Sequence, residues 1–112
     1  MAYDDDLAVR IRELLAYEPD LEEKRMFGGL AFLLGGNMAV AASGQGGLLV
    51  RVDPAGSAAL QAATGARPME MRGREMAGWL RVPSPVVGDD GALQEWIRRG
   101  VAFARSLPAK AR

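Results

Sequence analysis

The sequence predicts an α+β domain: an antiparallel sheet of about five or six strands, with elements in the order helix, three or four strands, helix, two strands, helix. Three observations carry this. Leu7, Ile11, Leu14 and Leu15 recur at i, i+4, i+7 and i+8, one stripe of a helix. From Lys24 to Val52 that period disappears, and short apolar runs alternate with glycine-rich breaks. Leu93, Trp96, Ile97, Val101 and Ala104 then restore a helical stripe. Amphipathic helices at the ends and middle of such a chain cover one face of the sheet.

The first helix is expected over Asp5 to Tyr17, with Asp4 to Asp6 supplying an N-cap and favourable charge for the dipole. Pro19 stops it and holds Glu18 out of helical geometry. Strands follow near Arg25 to Phe27, Leu30 to Leu34, Met38 to Ala42 and Leu48 to Val52. Gly35-Gly36-Asn37 and Ser43-Gly44-Gln45-Gly46-Gly47 supply the positive φ angles of hairpin turns between them.

Asp53 as N-cap, Pro54 at the first helical position, an alanine-rich body to Ala63 and Gly65 as the stop bound a short second helix. Strands Pro68 to Met71 and Met76 to Val82 are joined through Arg72-Gly73-Arg74, and Pro83 and Pro85 end the second. Asp89 or Asp90 caps the last helix, which runs to about Leu107-Pro108. Residues 1–108 form one domain, and 109–112 are a frayed tail.

Composition removes much chemistry. With no histidine and no cysteine, the chain cannot build Ser-His triads, thiol nucleophiles or the usual zinc and two-histidine iron sites. A length of 112 residues with 49% hydrophobic content suits one core. An acidic start, Met1 to Asp6, is unlike a secretory signal, and the glycine-broken apolar run is too short to span a bilayer; we expect a cytoplasmic protein without a membrane partner.

Basic and acidic residues balance at 14 each. Residues 1–63 hold 9 acidic and 5 basic side chains, and residues 64–112 hold 5 and 9. The favoured reading is solvated charge that mixes on folding; the alternative is a basic face built by the C-terminal half.

Gly28-Gly29 and Gly35-Gly36 invite a phosphate-loop reading, but no Gly-Lys-Ser/Thr leads into a helix and no three spaced glycines join a strand to a helix. We read a sheet kink at Gly28-Gly29 and a hairpin turn at Gly35-Gly36-Asn37. The carboxylates at Asp4 to Asp6, Glu22-Glu23 and Asp89-Asp90 are read as caps and loop charge, so no catalytic, cofactor-binding or metal-binding residue is assigned. Met26, Met38, Met69, Met71 and Met76 are read as core filling, with a flexible binding surface as the alternative.

Arg72, Arg74, Trp79 and Arg81, around one hairpin with Arg67, form the candidate interaction surface. Glu70 and Glu75 are expected to neutralise the arginines by cross-strand pairing. Direct nucleic-acid binding through this hairpin and Arg98, Arg99 and Arg105 of the last helix is the alternative function, and zero net charge disfavours it. A small-molecule pocket or enzyme site between sheet and helix is a third.

Arg25-Met26-Phe27-Gly28-Gly29, Gly36-Asn37-Met38, Gly73-Arg74-Glu75-Met76 and Val82-Pro83, between an amphipathic helix and a final helix carrying Trp96, resemble the N-terminal domain of the TfoX/Sxy competence regulators. The likeness covers nearly the whole chain. It implies helices around an antiparallel sheet in a bacterial cytoplasmic protein that forms homodimers, meets protein partners in a regulatory setting and has no established catalytic residues or cofactors. Met26, Phe27, Gly28, Gly29, Gly36, Val82 and Pro83 transfer as structural positions only. Competence regulators continue into a second, helical domain; the chain ends at Arg112, so we expect a stand-alone N-terminal unit.

Overall fold

The first helix, α1, spans Asp5–Leu14, and Asp4 caps it by accepting from the backbone N–H groups of Asp6 and Leu7. The computed structural model describes residues 3–26 and 28–109, so Phe27 and Lys110 to Arg112, three of the four residues read as a frayed tail, lie outside the described residues. Helix α1 stops three residues short of Tyr17, because residues 15–17 form a turn in which the Leu15 N–H still bonds the Ile11 carbonyl. Leu7, Ala8, Ile11 and Leu15 are buried, but Leu14, placed on the same stripe from sequence, is 43% exposed.

Six strands follow, β1 Leu21–Met26, β2 Gly29–Leu34, β3 Asn37–Ala42, β4 Leu48–Arg51, β5 Arg67–Met71 and β6 Arg74–Val82. They form one antiparallel sheet in the order β1-β2-β3-β4-β6-β5. β1 begins earlier than Arg25: Glu22, Glu23 and Lys24 belong to an exposed edge strand, and their charge hides it from a hydrophobic-pattern reading.

Gly28 lies in the turn that leads into β2, where the sequence suggested a kink. A Cβ on Gly29 would strike the Ala42 carbonyl and one on Gly44 the Gly28 carbonyl, so these glycines let two turns close on each other. Gly35 and Gly36, at φ +59° and +84°, make the next turn with both central residues left-handed.

After β4, Asp53 caps a 3-10 turn at Pro54–Gly56, which leads into α2, Ser57–Thr64, closed by Gly65 in the left-handed conformation. Pro83 ends β6 and also precedes a one-turn helix, α3 Ser84–Val87, that the strand-ending role of the prolines did not suggest. Asp89 caps α4, Asp90–Ser106, by accepting from the Ala92 N–H.

Period-2 alternation sorts the strand side chains into two layers. Leu30, Phe32, Val40, Val50 and Leu80 meet Ile11 of α1 and Leu93, Trp96 and Ile97 of α4 in the larger core. Their strand neighbours Ala31, Leu33, Met38, Ala41, Leu49 and Met69 form a second, smaller cluster that contains strand residues alone. Thus the helices cover one face of the sheet. Among the described residues no helix is long and apolar enough to cross a membrane.

Candidate functional site

The helix-free face of the sheet gathers the candidate surface residues. Met26, Met71, Met76 and Trp79 are half-buried against its small apolar cluster, and Met38 and Met69 are buried within it. Every methionine after Met1 therefore lies on this one face. They fill a core and they also surface from it, so both sequence readings of the methionines have a part. Met26 on the first strand of the sheet order and Met69 on the last line one small depression, which shows that the sheet curls toward closure.

Strand register places the charges. Arg81 stands opposite Leu49, Arg51 opposite Trp79, Arg74 opposite Met71, and Lys24 opposite Ala31, so each shares the helix-free face with a member of the cluster. Arg67 stands directly across from Arg81. Glu70 faces Glu75, one position out of phase with Met69, Met71 and Met76, and so points to the opposite side of the hairpin. The expected neutralisation of the arginines by these glutamates therefore fails: the two-residue turn pairs acid with acid, and among the described residues neither glutamate forms an ion pair.

Trp79, Arg74 and Arg81 thus share one face of the sheet, with Arg74 beside the hairpin turn and Arg81 near the far end of β6, and Arg72 stands at the tip of the hairpin with φ +56°. The Arg81 Nη1 donates to the Ser43 hydroxyl at 2.9 Å, which anchors the guanidinium to the β3–β4 loop. The Arg51 guanidinium lies over the Trp79 ring, 5.2 Å from its centroid, and over the Phe103 ring at 5.5 Å. Arg51 and Lys24 were missed from sequence. Arg67 was placed at the hairpin, and the alternation Arg67, Met69, Met71 puts it by period 2 on the side of the two methionines.

The arginines of α4 are elsewhere and engaged. Arg98 pairs with Glu95 at 2.6 Å; Arg99 lies near the same carboxylate at 3.7 Å and over the Trp96 ring. Arg105 reaches Glu18 at 3.1 Å and donates to the Pro19 carbonyl at 2.6 Å. They belong to the helical layer, across the sheet from Arg67, Arg74 and Arg81.

Several carboxylates act as caps or ion-pair partners: Asp4, Asp53 and Asp89 cap helical turns, and Asp90 pairs with Arg10 at 2.8 Å. Arg12 of α1 grips Glu23 of β1 with two hydrogen bonds, 2.6 and 2.9 Å, which hold the Glu23 carboxyl below the usual carboxylate range against a smaller opposing effect of burial. Among the described residues no group of three or more His, Cys, Asp or Glu side chains is placed to hold a metal ion.

Side chains fill the space between sheet and helices, with Phe32, Ile11 and Val50 at zero exposure. Larger hollows are open surface grooves, about 400 Å³ between α2 and α4 and about 310 and 190 Å³ on either side of Leu14. Met26 and Gly29 start the depression on the helix-free face, whose free volume is only about 10 Å³, no more than about one water. Val82 is buried in the larger core and Pro83 lies exposed at the start of α3, both structural placements.

Over residues 13–104 the sequence matches the TfoX N-terminal domain family. No protein of curated function matches it.

Proposed function

The chain belongs to the TfoX N-terminal domain family, and from that premise we propose that it is a non-catalytic, homodimeric regulatory domain that works in the cytoplasm through contacts with proteins. One observation carries the reading: a sheet face with no helix over it, on which Met26, Met71, Met76 and Trp79 are half-exposed. Docking surfaces are built from such adaptable thioethers and aromatic rings. The carboxylates engaged as caps and in ion pairs, in a chain without histidine or cysteine, favour binding over catalysis.

Self-association is supported by apolar side chains left exposed on α1 and in the turn after it. Val9, Leu14 and Tyr17, the last 98% exposed, are three of the four large apolar side chains left exposed among the described residues. Sedimentation velocity at tens of micromolar tests it. A dimer is expected, and a 12.0 kDa species alone would overturn the dimeric part of the proposal. Direct nucleic-acid binding is less well supported, because the hairpin arginines and those of α4 lie on opposite sides of the sheet.

A further inference from the structure

We infer that the helix-free face docks an acidic amphipathic segment of a protein partner, one that carries carboxylates beside a row of apolar side chains. This rests on the reading of the chain as an interaction domain and names the chemistry of what that domain binds.

Charge on the face selects the partner. Lys24, Arg67, Arg74 and Arg81 share it, with Arg51 at its margin beside Phe103 of α4, against Glu22 as the acidic residue that register puts there among the described residues. Zero net charge for the whole chain conceals this, since Glu70 and Glu75 point to the other side. Placing Arg67 directly across from Arg81 costs the free protein stability, because like charges opposite each other on a sheet repel. A carboxylate bound between them relieves that repulsion, so the arrangement favours an anionic guest over an empty face.

The apolar part of the face selects among anions. Met26, Met71 and Met76 offer flexible side chains that mould to branched or aromatic groups. Nucleic acid would need an open aromatic ring for its bases, but the Arg51 guanidinium already covers the Trp79 ring. Arg81 is fixed by Ser43 and Arg51 by two rings, so these cations are held in place before a partner arrives.

A test uses a fluorescent amphipathic peptide with Asp and Glu beside Leu and Phe, an otherwise identical peptide with Asn and Gln instead, and a labelled single-stranded oligonucleotide. Anisotropy titration of the full chain is expected to show binding of the acidic peptide at least tenfold tighter than of either other probe, weakening as salt rises. The double variant Arg67→Glu, Arg74→Glu changes two exposed side chains, and the first change gives Arg81 an opposite charge, so the fold is retained. It is expected to weaken the acidic peptide at least tenfold. Methyl NMR signals of Met71 and Met76 should move on binding, while those of Leu60 in α2 stay in place.

No binding of the acidic peptide, equal binding by the double variant, or tighter binding of the oligonucleotide would overturn the inference. Sedimentation of the same samples separates the two levels. A dimer that persists while the peptide fails sinks this assignment and leaves the interaction-domain reading standing.

Discussion

Gly100 of α4 rests so closely on β3 that a Cβ there would lie 2.6 Å from the carbonyl oxygen of Ala39. Two effects of Gly100→Ala oppose each other. Alanine favours the helix interior by about 1 kcal/mol over glycine, whereas overpacking a core costs about 1–3 kcal/mol. The obstacle is backbone, and Val40 Cγ1 stands at 2.9 Å behind it, so the clash wins. We expect Gly100→Ala to lower stability by about 1–2 kcal/mol, read as a lower urea midpoint with an unchanged slope.

Arg72 holds φ +56° in a turn where Gly73 takes +79°. Both values suit a turn that prefers Asn-Gly, and an arginine there is strained. Arg72→Asn should stabilise the protein by about 0.5 kcal/mol, visible as a rise of a few degrees in Tm. Because Arg72 is at the hairpin tip and not among the face residues, peptide binding should not change with it.

Glu23 links the pH dependence of stability to the α1–β1 contact. Its folded carboxyl titrates below its unfolded value because Arg12 donates to it. The stabilisation is therefore full above the unfolded carboxylate range and disappears as pH falls through the lowered value. Glu23→Gln should cost under about 1 kcal/mol at pH 7, as for other partly exposed pairs, and nothing measurable once acid has protonated the wild-type carboxyl. Denaturation curves of both proteins from pH 7 to pH 3 should converge at the acid end.

Asn37 is 3% exposed, and its Nδ2 donates to the Pro108 carbonyl at 2.9 Å, which ties the chain after α4 to the start of β3. Asn37→Ala should lose about 1–2 kcal/mol. Truncation after Leu107 removes the same bond, so the two changes together should cost less than their sum in a double-mutant cycle.

Caps were the most legible part of the sequence. Asp4, Asp53 with Pro54, Gly65 and Asp89 each act where their chemistry placed them, because capping is decided within four residues. β1 was found only at its end, since Glu22 to Arg25 on an edge strand carry no apolar alternation. The candidate surface was half legible. Arg74, Trp79 and Arg81 do share a sheet face, but the absence of neutralisation by Glu70 and Glu75 depends on a turn that pairs Met71 with Arg74. Arg51 and Lys24 join them only through strand order, which periodicity along one chain segment does not encode.

Among the described residues, sulfur is confined to one side of the sheet. The larger core, from Ile11 and Phe32 to Trp96, holds no methionine, and the chain holds no cysteine. Among the described methionines, peroxide therefore attacks the half-buried Met26, Met71 and Met76 before the buried Met38 and Met69, turning an apolar surface polar while the packing of helices on sheet keeps its composition. Oxidative injury would thus be felt as altered recognition before it is felt as unfolding.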